Sequence, residues 1–239
     1  MIATIRSWLS QMAGRSIEVH PTCRAPLERI GSDYGGWAFC PELLSESSVV
    51  YCGGIGDDIS FDLGLIQRFG CQVWAFDPTP RSGAWLSAQQ LPAAFHFVPK
   101  GLAGAEGTLT VFPLENPGSM NHTSVSQAGV ASHGVVVECV TIPGAMRKHC
   151  HAGIDLLKLD IEGSEYEVIP DLLAQGVIPP QLLVEFHHRF AGVGVPKTRQ
   201  ILRLLNSHGY EILAATRGAR EVSFIHRDAL RRVTLARTR

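Results

Sequence analysis

The stretch Ser48-Val49-Val50-Tyr51-Cys52-Gly53-Gly54-Ile55-Gly56-Asp57-Asp58-Ile59-Ser60-Phe61-Asp62 changes character twice. It opens on a β-branched and aromatic run, the pattern of a buried strand. Gly53, Gly54 and Gly56 then form a turn. Beyond it, Ile59, Leu63, Ile66 and Phe69 recur at spacings of three and four, the apolar stripe of a helix. Strand, glycine turn and helix together present a ligand at the carboxyl edge of an open α/β sheet. Glycine lets the turn take positive φ and lets a ligand approach the backbone. The plain alternative is a tight turn that binds nothing, so the rest of the chain has to decide.

Working outward, the same alternation repeats. Strands are expected at 72–76, 95–98, 154–159 and 181–186, with helices over 58–69, 81–90, 143–150, 164–174 and 196–207. Gly70 is a helix stop, and Pro78 and Pro80 forbid the second strand from continuing. A closing hairpin is expected at 210–215 and 221–226. The fold class is therefore α/β: a Rossmann-like, mostly parallel sheet with an antiparallel C-terminal hairpin and right-handed crossovers. Residues 1–45 form a lead-in packing on the core, with a short helix at 2–12, and 46–239 form the main domain. Within it, 105–142 is a small sheet elaboration. Its polar segment 113–134 is long enough to be a lid or binding loop.

Composition narrows the function. With 239 residues, 45% of them hydrophobic, the chain can bury one substantial core. Lys and Arg number 21 against 22 Asp and Glu, so no basic excess points to nucleic acid. The basic stretch from Arg227 to Arg239 is expected to be a solvated tail or terminal strand. No apolar run approaches the ~20 residues of a membrane span, and the N-terminus lacks the pattern of a secretion signal. A cytoplasmic protein follows, with its six cysteines reduced and no zinc motif.

The ends of the strands carry the chemistry. Asp77 follows the second strand about twenty residues after the glycine turn, where an acid accepts hydrogen bonds from a ribose diol. The lesser alternative is an aspartate that caps a helix or turn. Asp57 and Asp58 open the helix where a dinucleotide fold needs to receive a pyrophosphate, which they would repel. A sulfonium or ammonium is tolerated there, which favours S-adenosylmethionine over a nicotinamide dinucleotide. The fourth strand delivers Asp160, Glu162 and Glu165, and the fifth Glu185, His187 and His188. These groups suit a general base acting on a hydroxyl. They also suit a divalent metal, which is not predicted. His187 or His188 is expected to be the base, with Asp160 or Glu185 as its partner. Strand alternation should turn one of the two histidines toward the pocket. Tyr34-Gly35-Gly36-Trp37 has the character either of a cover for a flat ligand or of a plug for the sheet end.

Three segments together resemble the FkbM-like family of class I S-adenosylmethionine-dependent methyltransferases: the glycine-turn stretch, Phe76-Asp77-Pro78-Thr79-Pro80, and Leu157-Lys158-Leu159-Asp160-Ile161-Glu162-Gly163-Ser164-Glu165. Tyr34-Gly35-Gly36-Trp37 adds to the likeness, and the Asp-Ile-Glu-Gly-Ser-Glu block is its most specific part. The resemblance implies a seven-stranded sheet whose last strand is inserted antiparallel. It implies that Gly54, Ile55 and Gly56 line the methionine moiety, that Asp77 holds the ribose, and that Gly101 and Leu102 lie near the adenine. Asp160 and Glu162 would face the transferring methyl, and Asp58 and Pro78 are counted with the cofactor site. The chain departs from the common Asp-x-Gly-x-Asn-x-Gly loop in having Tyr51 and Asp58. The expected activity is methyl transfer to a small-molecule acceptor, a sugar or natural-product hydroxyl. The competing readings are a non-catalytic scaffold and an NAD-linked oxidoreductase.

Overall fold

The structure, a computed structural model, describes residues 17–113, 122–123, 134–190 and 192–237. A short hairpin, β1 (Glu28–Ile30) and β2 (Trp37–Phe39), precedes a single 3-10 turn at Pro41–Leu43. Then follow β3 (Val49–Gly53), α1 (Ser60–Phe69), β4 (Gln72–Phe76), α2 (Pro80–Leu86) and β5 (Phe95–Val98). The elaboration comprises β6 (Gly101–Leu102), β7 (Gly107–Pro113), β8 (His122–Thr123) and β9 (Val135–Val140). The chain continues through α3 (Ile142–His149), β10 (Leu156–Leu159), α4 (Glu165–Ala174), β11 (Gln181–Glu185) and α5 (Gly194–Ser207). It closes with β12 (Tyr210–Ala215), β13 (Glu221–His226) and α6 (Arg227–Arg237).

The main sheet has seven strands in the order β12-β13-β11-β10-β3-β4-β5. β11, β10, β3, β4 and β5 run parallel, while β13 lies antiparallel between β11 and β12. The strand pattern predicted the mostly parallel sheet with its C-terminal hairpin, and the family resemblance implied the seven strands with one inserted antiparallel. Tyr51, Leu156, Leu157, Leu182 and Leu183 are fully buried, as strands covered on both faces require. Gly70 ends α1 in the left-handed conformation (φ 71°), its N–H on the Ile66 carbonyl. Thr79 caps α2 by accepting from the Ser82 N–H, with Pro80 in the first turn.

Register brings the candidate site residues to one edge. Gly53 pairs with Leu159 on one side and Phe76 on the other, and Leu159 pairs with Val184. Gly54, Asp160, Asp77 and Glu185 therefore leave their strands at the same level. The turn between β12 and β13 rises at this edge too, because Glu185 pairs with Glu221.

Three features differ from the expectations or extend them. Residues 227–237 form helix α6, neither tail nor strand. Ala229 and Val233, one turn apart, are buried against Cys40, Leu213 and Ile225, and burying Val233 contributes roughly 1.5 kcal/mol. The lead-in holds the β1–β2 hairpin, whose Phe39 ring meets Phe61 and Phe69 edge-on at 6.0 and 5.9 Å. The hairpin is joined to β3 through the 3-10 turn, which has Pro41 at its start. The helix expected at 2–12 lies outside the described residues, as do segments 114–121 and 124–133 of the expected lid loop. All six cysteines are free thiols. No helix among the described residues is long and apolar enough to cross a membrane.

Candidate active site

A cleft of about 580 Å³ opens at the carboxyl edge of the sheet, within the size range of small-molecule sites. It is lined by Gly54, Ile55, Gly56 and Asp58 of the glycine turn, by Asp77 and Pro78 after β4, and by Gly101 and Leu102 after β5. Asp160, Glu162 and Glu185 line it from β10 and β11. Every residue expected to bind cofactor thus borders one cavity.

The glycine turn is held at close quarters. Gly54 has φ +76°, and a Cβ there would stand 1.7 Å from the Asp160 carbonyl oxygen, so only glycine fits. A Cβ on Gly101 would meet Cys139 Sγ at 3.0 Å and Pro78 Cγ at 3.3 Å. Asp77 is buried. Its Oδ2 accepts from the N–H groups of Ile55 and Gly56, both at 3.2 Å. Its Oδ1 accepts from the Thr79 N–H at 2.9 Å and the Thr79 hydroxyl at 2.6 Å. The turn-fixing role is therefore met, and Asp77 still borders the cleft beside Pro78.

Asp58 ties the glycine turn to the β1–β2 hairpin, accepting from the Ser32 hydroxyl and, at 2.8 Å, from the Ser60 N–H. Burial works against its charge, but these hydrogen bonds outweigh it and hold the carboxyl below its ordinary range. Trp37, at the start of β2, is buried in the core, Tyr34 in the hairpin turn is exposed, and both line the cleft.

Beneath the turn lies Lys158, buried in β10. Its ammonium donates to the Gly54 carbonyl and stands 3.6 Å from Asp160 Oδ2. Burial disfavours the charge, yet Asp160, Asp62 and Cys52 more than offset it and raise the pKa. A lysine inside an apolar strand is accounted for by these partners.

The histidines depart from expectation, since neither lines the cleft. His187 is buried behind Glu162. Its backbone N–H and Nδ1 both meet Glu165 Oε1, at 2.9 and 3.1 Å. Nε2 faces Glu162 Oε2 at 3.3 Å and Asp160 Oδ1 at 3.9 Å. Burial lowers its pKa, but Glu165, Glu162 and Asp160 prevail and lift it to about 10. An imidazole held protonated at neutral pH has no free lone pair to accept a proton, which disfavours His187 as the base. His188 is also buried, its Nδ1 has no hydrogen-bond partner among the described residues, and burial lowers its pKa. Strand alternation failed here because β11 ends at Glu185, before both residues.

Glu162 instead reaches the cleft. Burial raises its carboxyl to about 7; His187 draws it down, while Asp160, Glu185 and Glu165 push it up. Glu185 is raised by burial and by Asp160, and pairs with Arg220 at 3.2 Å. Asp160, Glu185 and His187 bring ligand-type atoms within 4.8 Å of one another. Lys158, Arg220 and the charged His187 already face these carboxylates, so the arrangement is an ion-pair network and no metal is assigned to it.

Sequence reasoning missed two walls. Leu109, Val111, Val137 and Cys139 of the elaboration line the cleft, as do Thr216, Arg217, Arg220 and Glu221 around the β12–β13 turn. The available signal was topological: a hairpin after the last helix returns to the edge that carries the glycine turn.

The Methyltransferase FkbM domain matches residues 48–212. No curated protein sequence matches the chain. Among solved structures, an rRNA methylase from Streptococcus thermophilus is similar at 11% identity and a TM-score of 0.39, covering 77% of this chain and 90% of that one. Fibrillarin from Aeropyrum pernix, in complex with natively bound S-adenosyl-L-methionine, is similar at 10% identity and a TM-score of 0.41, covering 78% of this chain and 68% of that one. The chain belongs to the FkbM-domain methyltransferases and is an S-adenosylmethionine-dependent methyltransferase.

Proposed function

We propose that this enzyme methylates a hydroxyl of a small molecule, a sugar or natural product. The supporting observation is the make-up of the cleft. Its carboxylates Asp160, Glu162 and Glu185 stand beside the glycine turn, and they are hydrogen-bond acceptors suited to hydroxyl donors. An acidic rim and the near-neutral charge of the chain oppose a nucleic-acid acceptor.

The cofactor fits the half of the cleft bounded by Gly54, Ile55, Gly56, Asp58, Asp77, Pro78, Gly101 and Leu102. Bound there, S-adenosylmethionine supplies an electrophilic methyl on a sulfonium. Asp160 and Glu162 would border the methyl, and their negative charge favours a cation. Lys158 fixes the Gly54 carbonyl and so the shape of the turn. The Tyr34–Trp37 segment and the β12–β13 turn flank the acceptor side. Much of the rate enhancement then comes from holding the acceptor oxygen about 3 to 3.5 Å from the methyl carbon.

The test is a screen with S-adenosylmethionine against sugar, phenolic, amine and oligonucleotide acceptors, read by S-adenosylhomocysteine release and product mass. Methylation of hydroxyl acceptors is expected. Turnover confined to amines or oligonucleotides would overturn the reading.

A further inference from the structure

We propose that Glu162 is the general base of methyl transfer, with His187 as its positioning residue. The inference rests on the hydroxyl acceptor argued above. As the acceptor oxygen forms its bond to the methyl carbon, the carbon–sulfur bond breaks and its electron pair stays on sulfur. The hydroxyl proton passes to the Glu162 carboxylate, and from the acid so formed to water.

Geometry singles Glu162 out. It is one of three non-glycine residues at positive φ among those described, at φ 53°. Glycine adopts this conformation without steric cost, whereas a glutamate does not. Backbone held so against its preference clusters where a side chain must be aimed. The result turns the carboxylate into the cleft with only 15% of the side chain exposed.

The neighbouring acids are less suited. Asp160 is paired with the buried Lys158 ammonium at 3.6 Å. Glu185 is paired with the Arg220 guanidinium, whose charge is permanent. Taking a proton would cost either acid its ion pair, whereas His187, 3.3 Å from Glu162, keeps Glu165 at 3.1 Å as its counter-charge when Glu162 is neutral. The His187 imidazole facing Glu162 is itself anchored from behind by the fully buried Glu165. The charges facing Glu162 are His187, Glu185 and Arg189 from the β11 end, Asp160 from its own turn and Glu165 from α4. The raised carboxyl, at about 7, agrees with a base matched to neutral pH.

The test needs no acceptor. Protein carrying glutamate labelled with carbon-13 at Cδ is titrated by NMR with S-adenosylhomocysteine bound. The Glu162 resonance is assigned by its loss in Glu162→Gln, or in Glu162→Asp should the first variant not fold. A midpoint near 7 is expected. Sinefungin, which carries an amine in place of the transferring methyl, should lower that midpoint by at least about one unit. His187→Asn should raise it. A midpoint below about 5, or one that sinefungin leaves unmoved, overturns the proposal. Calorimetry with the same two ligands separates the cases: failure of either to bind the folded wild type would count against the cofactor site instead.

Discussion

Glu165 Oε1 holds His187 twice, accepting its backbone N–H at 2.9 Å and its Nδ1–H at 3.1 Å. The carboxylate is fully buried, and its other oxygen takes the Gly163 N–H at 2.9 Å. One side chain therefore joins the first turn of α4, the end of β11 and the turn that carries Glu162. Glu165→Gln keeps the shape but leaves a buried imidazolium without its main counter-charge. A loss of about 3 kcal/mol in unfolding free energy is expected from urea denaturation. A change below about 1 kcal/mol would show that the pair carries no structural weight.

The same pair makes stability depend on pH. His187 has a folded pKa of about 10, above its unfolded value of 6.5. The folded state binds its proton more tightly, so this stabilisation is fully present below pH 6.5 and is lost as pH rises through about 10. Denaturation midpoints measured from pH 6 to 10 should fall progressively, and His187→Asn should flatten the decline. An equally steep decline in the variant would assign it to other groups.

Asp77 fixes the glycine turn and borders the cleft proposed to hold the cofactor. Asp77→Ala would leave the N–H groups of Ile55, Gly56 and Thr79 without their acceptor. A stability loss of about 1–3 kcal/mol is expected. Affinity for S-adenosylmethionine should drop about tenfold or more, a loss of at least about 1.4 kcal/mol by calorimetry. Undiminished affinity would remove Asp77 from the cofactor site.

Gly54 admits no side chain. With φ +76° and the Asp160 carbonyl oxygen 1.7 Å from a Cβ, Gly54→Ala has to push β3 and β10 apart at their ends. A destabilisation above about 2 kcal/mol, with loss of cofactor binding, is expected from denaturation and calorimetry. Wild-type stability and binding in this variant would contradict the close packing of the turn.

Glu162→Gly makes the opposite trade. It relieves the positive φ of Glu162, so stability should hold or rise by up to about 1 kcal/mol. Methyl transfer should fall at least about 100-fold. Turnover within threefold of wild type would dismiss a catalytic role for the carboxylate.

The sheet was legible because its signals are local. Each buried strand is a short apolar run, each ends on glycine, proline or an acid, and Gly70 and Thr79 mark helix ends. The glycine-turn side of the cleft was legible for the same reason, since its residues sit directly at strand ends. The histidines were not. Which way His187 turns depends on Glu165, which is distant in sequence, and on β11 ending two residues before it. Helix α6 was hidden by its arginines, although Ala229 and Val233 carried the one-turn spacing of a buried face. No sequence pattern showed that Glu162 takes positive φ, because glutamate has no preference for it. Arg217 and Arg220 enter the cleft only once β13 is inserted between β11 and β12.

The most direct measurement is calorimetric titration of the folded protein with S-adenosylmethionine and S-adenosylhomocysteine, with NADH as control. The expected result is one site per chain at micromolar strength, about 8 kcal/mol of binding free energy, weakened by Asp77→Ala and silent with NADH. No heat with either adenosyl ligand, or binding of NADH in their place, would contradict the account of the cleft.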